Sequence, residues 1–108
     1  MYNLLYDGTF AGFLTALNRK MHQPVLELCI KPANGFSEDT YSHDILLNTE
    51  VALAGQMLAM LKQNFNAPEI RFMKKIIQQG RPGCEDVLGA YILERFNSRY
   101  GAGVSNAA

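Results

Sequence analysis

The 108-residue chain lacks tryptophan, has two cysteines and carries no formal net charge. Secreted scaffolds that depend on disulfides are dense in cysteine, so Cys29 and Cys84, far apart in the sequence, favour a reduced, intracellular protein. No apolar run approaches the roughly 18 residues of a membrane span, and the N-terminus has no basic segment followed by an apolar stretch. We therefore expect a cytoplasmic protein.

Charge balance and missing motifs exclude several kinds of binding. Ten basic and ten acidic residues cancel, so nucleic-acid or membrane binding has to depend on a local patch. Gly8 and Gly12 lie near the first predicted helix, but neither the dinucleotide pattern nor the phosphate loop with its lysine is present. His22 and His43 form no ligand spacing with the cysteines. We expect no metal and no other cofactor.

The composition indicates a globular protein with one hydrophobic core. Hydrophobic residues make up 48% of the chain and charged residues 19%, as in ordinary soluble domains. The length suits a single folding unit. We predict one α/β domain over residues 1–98 and a flexible C-terminal tail over residues 99–108, which are small and polar.

The order of apolar runs and turn residues predicts a strand–helix–strand start followed by an all-helical C-terminal half. Such an order favours a parallel crossover between the first two strands. Residues 31–41 have the composition of a loop. The expected strands are 2–6, 25–30 and 44–47, and the expected helices, about four in number, are 9–20, 49–64, 67–79 and 84–97.

Local signals mark several helix ends. Thr9 follows a turn at residues 7–8 and can accept from free amides of the first helix. Residues 48–49 are expected to cap the second helix. Pro68 and Glu69 suit the first turn of the third helix. Gly80 is expected to end that helix.

Apolar spacing predicts the buried face of each later helix. The residues expected to face inward are Val51, Ala54, Leu58 and Leu61 in the second helix, Ile70, Phe72, Met73, Ile76 and Ile77 in the third, and Val87, Leu88, Tyr91, Ile92 and Phe96 in the fourth.

The third helix has the clearest separation of polarity. Arg71, Lys74 and Lys75 share the side opposite its apolar residues. With Arg81, which follows the helix, they form the candidate contact surface, and a phosphate backbone is an obvious anionic partner. The same pattern also suits a solvated helix face or docking to an acidic protein.

Catalytic groups are less well supported. Cys84 lies at a helix start, where the dipole lowers a thiol pKa, but Glu85 and Asp86 oppose that effect, so we favour a structural cysteine. Turn and cap roles account for the remaining acids, although four of them could converge at one end of the sheet. These are Asp7, Glu38, Asp39 and Asp44.

Three segments together resemble a bacterial family described as probable DNA metabolism protein. Residues 6–16, YDGTFAGFLTA, resemble its opening signature YDGTFEGFLTA. Residues 44–49 are similar to a short strand before a helix in that family, and residues 82–92 resemble its PGIEDLLLRYI segment. The opening signature is carried here by Tyr6, Asp7, Gly8, Thr9, Phe10, Gly12 and Phe13.

The resemblance implies an intracellular accessory protein, usually encoded beside a radical-SAM iron-sulfur protein and sometimes joined to a uracil-DNA glycosylase domain. Two departures from the family pattern stand out. Ala11 replaces an acidic residue, and family members usually continue into a more basic and aromatic half, so the resemblance covers their N-terminal part only.

Together these observations predict an accessory domain in DNA modification or repair without catalytic residues. It is expected to bind a radical-SAM partner protein, DNA, or both through Arg71, Lys74, Lys75 and Arg81. One alternative is a purely structural interaction module or homodimer. Another is an enzyme that uses Cys84 or the carboxylates near Asp7 and Asp44.

Overall fold

A small parallel sheet and four helices make up the fold. The structure is a computed structural model that describes residues 2–23, 27–33 and 43–107, with the backbone alone at residue 43 and beyond residue 97. The described elements confirm the predicted α/β class and its helical C-terminal half.

The first strand is the centre of the sheet, whose order is β2-β1-β3. Leu4 of β1 is in register with Ile30 of β2 on one side and with Ile45 of β3 on the other, and both pairings are parallel. The predicted parallel crossover is confirmed. The elements are β1 (Tyr2–Tyr6), α1 (Phe10–His22), β2 (Leu28–Pro32), β3 (His43–Leu46), α2 (Val51–Asn64), α3 (Ala67–Gln79) and α4 (Cys84–Ala107).

Several predicted boundaries are wrong. β2 continues through Lys31 to Pro32, which the sequence assigns to a loop; a proline is tolerated here because β2 lies at the sheet edge. The predicted first residues of this strand, 25 and 26, and the rest of the predicted loop, 34–41, lie outside the described residues. The backbone of α4 is helical through Ala107 rather than ending near residue 97. The flexibility of residues 99–108 stays a prediction.

Two helix starts and one helix end follow from local capping, as the sequence indicates. The Thr9 hydroxyl accepts from the Gly12 amide at 3.0 Å and caps α1. At the start of α3, Asn66 and Glu69 exchange side-chain-to-backbone hydrogen bonds of 2.9 Å, a capping box. Gly80, with φ of 65°, ends α3 in the left-handed conformation.

The predicted cap of α2 is wrong because tertiary contacts take over its start. Glu50 occupies the N-cap position without a side-chain capping bond. Its amide donates instead to the Thr15 hydroxyl of α1 at 3.1 Å. Thr49, the expected cap, donates to the Asp7 carboxylate at 2.8 Å.

The helices and the sheet pack around a continuous core. Leu4 and Tyr6 of β1 belong to this core, and the Tyr6 ring contacts the Phe13 ring of α1. The buried side chains of this core include Leu28 and Ile30 from β2, Phe13, Leu14 and Leu17 from α1, Met57 and Leu61 from α2, Ile70, Met73 and Ile77 from α3, and Leu88, Ile92 and Phe96 from α4.

Four residues predicted to face inward are exposed. Val51 is 82% exposed, because the buried row of α2 consists of Ala54, Met57 and Leu61. Phe72, Val87 and Tyr91 are 65%, 73% and 47% exposed, respectively. In the described ranges, no helix is long and apolar enough to cross a membrane.

Candidate functional site

The basic residues of α3 lie on its outer face, as their spacing predicts. Arg71, Lys74 and Lys75 are exposed, and so is Arg81, which follows the helix. The inner face of α3 is held in the core by Ile70, Met73 and Ile77. The packed inner face of α3 therefore holds the helix in place, and its cations face solvent.

Two of these cations share a groove with a third from the neighbouring helix. Lys62 of α2 and Arg71 and Lys74 of α3 line a concave surface of about 440 Å³ between the two helices. Its apolar walls include Phe65 and Ile70. We call this surface the cationic groove. Lys62 belongs to the same basic stretch of sequence, but only the packing of α2 against α3 brings it to Arg71 and Lys74.

Lys74 also contacts the first helix. Its Nζ lies 5.8 Å from the centroid of the Phe10 ring, within the range of a cation–π interaction. Phe10 in turn stacks on Phe13, with ring centroids 6.1 Å apart. The Lys74 ammonium group is thereby positioned at the edge of the groove by a residue of the opening signature.

The exposed cations of α3, Lys62 and Arg81 form no ion pair with a described carboxylate. Among the described side chains, the ion pairs are Arg19 with Glu50 at 3.7 Å and Lys20 with Asp86 at 4.0 Å. Neither pair includes a residue of the cationic groove, Lys75 or Arg81. The cationic groove is therefore a local patch of unpaired positive charge on a chain whose formal net charge is zero.

Arg81 does not join the cationic groove. It lies beyond Gly80, about 15 Å along the helix direction from Arg71, and lines a different cavity of about 320 Å³ with Lys31, Glu85 and Asp86. All four candidate cations are exposed, but only Arg71 and Lys74 line the cationic groove, and Lys75 and Arg81 lie outside it.

On its other side, α3 forms an apolar groove with α4. This α3–α4 groove has a volume of about 560 Å³. Phe72, Val87 and Tyr91 expose much of their apolar surface there. Large exposed apolar side chains in one place mark interaction sites more often than isolated ones do. The lining residues are Pro68, Glu69, Phe72, Met73, Ile76, Cys84, Val87, Leu88 and Tyr91.

Cys84 lies at the end of this groove nearest the α3–α4 turn and is half-buried. Burial raises the pKa of its thiol, and the neighbouring Glu85 carboxylate raises it further. The thiol donates to the Ile76 carbonyl at 3.7 Å. These contacts support a structural role and oppose a thiolate nucleophile.

A buried polar contact that no local sequence pattern predicts links the sheet to α4. The Tyr6 hydroxyl donates to the Glu85 carboxylate at 2.7 Å, and both residues are almost fully buried. Burial raises the pKa of Tyr6, and the hydrogen bond to Glu85 adds to that effect. The sequence signal for the burial of Glu85 is its position, because it lies about one helical turn before the buried Leu88 of α4.

Asp7 organises the chain directly after β1. Its carboxylate accepts from the Thr9 amide at 3.0 Å, from the Thr9 hydroxyl and from the Thr49 hydroxyl. The Thr9 hydroxyl is the main cause of the low pKa of Asp7, and the Thr9 amide and Thr49 hydroxyl add to it. Gly12 lets this carboxylate approach, because a Cβ there would lie 3.1 Å from Asp7 Cγ and from Thr49 Oγ1.

Asp7 and Asp44, the two acids of the predicted group that the structure describes, lie apart. Asp44 is the second residue of β3 and accepts from the Asn3 amide group at 3.1 Å, whereas Asp7 follows the other end of β1, about 13 Å away along the strand. Glu38 and Asp39 lie outside the described residues. Within the part of the chain that the structure describes, no group of three His, Cys, Asp or Glu residues is placed to hold a metal ion.

The three segments that carry the family resemblance meet at the carboxyl end of β1. Tyr6 contacts Glu85 of the third segment, and Asp7 contacts Thr49 of the second. Comparison of the chain with protein-family models, with curated proteins and with solved structures finds no match.

Proposed function

We propose that this chain is an accessory domain in DNA modification or repair that binds the phosphate backbone of DNA through the outer face of α3. The observation that supports this most directly is a set of exposed cations that form no ion pair with a described carboxylate: Arg71, Lys74 and Lys75 on α3, with Lys62 beside them.

The chemistry of these groups suits phosphate better than a base edge. Lysine binds phosphate as a point charge, and arginine binds it through a planar fork. Such contacts position a protein on nucleic acid without reading its sequence. The proposed binding is therefore electrostatic and sequence-independent, while any reaction takes place on a partner molecule.

The test compares two variants with equal net charge. Lys74→Gln/Lys75→Gln removes two cations from α3, whereas Ala52→Glu/Gln56→Glu adds two carboxylates at exposed positions of α2. Fluorescence anisotropy with a short labelled DNA duplex and with its single strand reports the affinity. Only the α3 variant is expected to bind more weakly, with a salt slope reduced by about 2.

Charge reversal extends the same test. Lys74→Glu/Lys75→Glu is expected to abolish DNA binding while circular dichroism shows an unchanged helix content, because both side chains are exposed. If Ala52→Glu/Gln56→Glu weakened DNA binding equally, the loss would be a general effect of net charge, and α3 would not be the DNA-binding surface.

A second candidate function is a domain that docks the radical-SAM partner protein, and the exposed apolar side chains of the α3–α4 groove favour it. Pulldown of purified partner with and without nuclease separates protein docking from bridging by DNA. Capture that survives nuclease treatment supports docking, and loss of capture supports the DNA function alone.

A further inference from the structure

The cationic groove between α2 and α3 is concave, and every charged side chain among the described residues that line it is basic. Lys62 belongs to α2, and Arg71 and Lys74 belong to α3. Its volume of about 440 Å³ falls in the range of about 300–1,000 Å³ that is typical of sites for small molecules. The groove therefore has room for one terminal group of a larger ligand and the atoms next to it. The uncharged lining residues are Leu58, Phe65, Asn66, Ala67 and Ile70.

The start of α3 adds a partial positive charge to this groove. Ala67, the first residue of α3, is exposed and lines the groove. Pro68 has no amide hydrogen, and the Glu69 amide donates to the Asn66 side chain at 2.9 Å. Within the described residues, the Ala67 amide is thus the donor of these three positions that remains for an anion. The Glu69 carboxylate accepts from the Asn66 amide and lines the α3–α4 groove instead.

The end of α2 brings backbone carbonyls near the same place, and a further cation offsets their partial negative charge. The Asn64 carbonyl accepts from the Arg95 guanidinium at 3.2 Å. The same guanidinium stands 5.0 Å from the centroid of the Phe65 ring. Glu94, which precedes Arg95, is exposed on α4 and is not a lining residue of the groove. The groove therefore combines three cations and one free amide with no lining carboxylate.

This shape suits the end of a nucleic-acid strand better than its interior. An internal phosphate has a sugar on both sides, so it is accessible to side chains on a convex face, such as Lys75 of α3. A terminal phosphate is attached on one side only and can enter a space between two helices. It also carries more charge, because a phosphate monoester has about −1.5 to −2 at pH 7 and three acceptor oxygens, against about −1 for each backbone phosphate.

We propose that the cationic groove binds the terminal phosphate of a DNA strand. Lys62, Arg71 and Lys74 donate to its oxygens through charge-assisted hydrogen bonds, and the apolar wall at Leu58 and Ile70 lies beside the adjoining sugar. This inference rests on the DNA-binding function proposed above and specifies its substrate as phosphorylated DNA ends, such as those at a strand break.

The probes are three short DNA duplexes of one sequence, labelled at an internal base, with phosphates at the 5′ ends, at the 3′ ends or at neither. Fluorescence anisotropy at constant salt gives the affinities. At least one phosphorylated duplex is expected to bind about tenfold more tightly than the unphosphorylated one, because the groove forms additional charge-assisted hydrogen bonds with it. Equal affinities of the three duplexes overturn the proposal.

The chain offers a matched pair of variants. Lys62 and Lys75 are both exposed, and a glutamine at either position removes one positive charge, but only Lys62 lines the groove. Lys62→Gln is expected to reduce the preference for the phosphorylated duplex to about twofold or less. Lys75→Gln is expected to weaken binding of all three duplexes and to leave that preference unchanged. A preference that survives Lys62→Gln, or that falls equally in both variants, overturns the proposal.

Nuclear magnetic resonance locates the phosphate site. Titration with inorganic phosphate is expected to shift the amide signals of Ala67 and Arg71 most, because both residues line the groove. Shifts confined to the separate cavity beside Lys31 and Arg81 overturn the assignment to the groove.

Two further outcomes separate this inference from its alternatives. A phosphoserine peptide that binds as tightly as the phosphorylated duplex overturns the assignment to DNA ends. Equal binding of the three duplexes, weakened by Lys74→Gln/Lys75→Gln, retains the DNA-binding function and removes the role of the groove. Absence of binding to every duplex removes the DNA-binding function and this inference together.

Discussion

Tyr6 of β1 and Glu85 of α4, 79 positions apart in the sequence, share a buried hydrogen bond of 2.7 Å from the phenol to the carboxylate. It connects the central strand to the last helix. Because Glu85 is 2% exposed, its carboxylate depends on this donor in place of water.

Tyr6→Phe is expected to destabilise the fold by about 1–3 kcal/mol, since it leaves a buried carboxylate without its phenol donor while keeping the ring. Urea unfolding followed by circular dichroism measures the change. Tyr91→Phe is the matched control, because Tyr91 is half exposed and its substitution is expected to change stability by less than about 0.5 kcal/mol. Similar losses in both variants would contradict the proposed importance of the buried contact.

Gly12 of α1 and Gly55 of α2 are expected to respond to alanine in opposite directions. Gly12→Ala forces the Asp7 carboxylate away from the start of α1 and is expected to cost about 1–3 kcal/mol. At Gly55, a Cβ meets nothing within 4 Å, so Gly55→Ala is expected to stabilise α2 by roughly 0.5–1 kcal/mol. Thermal unfolding of both variants checks the sign, and stabilisation by Gly12→Ala would show that this close approach is unimportant.

The sequence predicts the start of α1 and both ends of α3 well because their signals are local. Thr9, Pro68 and Gly80 act within one turn of the helix they begin or end. The start of α2 cannot be predicted in this way. The hydroxyl of its expected cap, Thr49, donates instead to the Asp7 carboxylate, 42 positions earlier. This contact forms only after the strands pair.

Helical spacing also predicts a wider buried face than the fold covers. Phe72, Val87 and Tyr91 have apolar side chains on the correct half of their helices, yet they flank a groove that the described chain leaves open. Glu85 shows the opposite error. Glu85 lies in the buried row of α4, but a pattern of apolar residues does not include a carboxylate. Its hydrogen-bond partner, Tyr6, is too far away in the sequence to indicate that Glu85 is buried.

Acidification is expected to remove the stabilisation that Asp7 provides. Its pKa is lower in the folded chain than in the unfolded one, so the ionised group stabilises the fold above the ordinary carboxyl pKa of about 4. This contribution is lost as the pH falls through the lower folded value. Asp7→Asn is therefore expected to be less stable than the unchanged chain at pH 7, and the difference is expected to narrow below about pH 4.

Unfolding at neutral and at acidic pH measures this narrowing. Glu94→Gln, at an exposed position of α4, is the control and is expected to change stability by less than about 0.5 kcal/mol at either pH. A stability difference for Asp7→Asn that stays constant with pH would contradict the hydrogen-bonded carboxylate.

Cys84 is expected to be a poor nucleophile at neutral pH. Burial raises the pKa of its thiol, so the thiolate needed for alkylation is scarce. Iodoacetamide labelling followed by mass spectrometry of the Cys84 peptide is expected to be slower in the folded chain than in denaturant. Faster labelling of the folded chain would identify an activated thiol and support the enzymatic alternative.

The salt dependence of DNA binding tests the central claim most directly. If the cations of α3 contact about three phosphates, the logarithm of the affinity is expected to fall with the logarithm of salt concentration at a slope of roughly −3. The slope is expected to approach −1 in Lys74→Gln/Lys75→Gln. A slope near zero for the unchanged chain, or one that the two substitutions leave unaltered, would contradict phosphate recognition by α3.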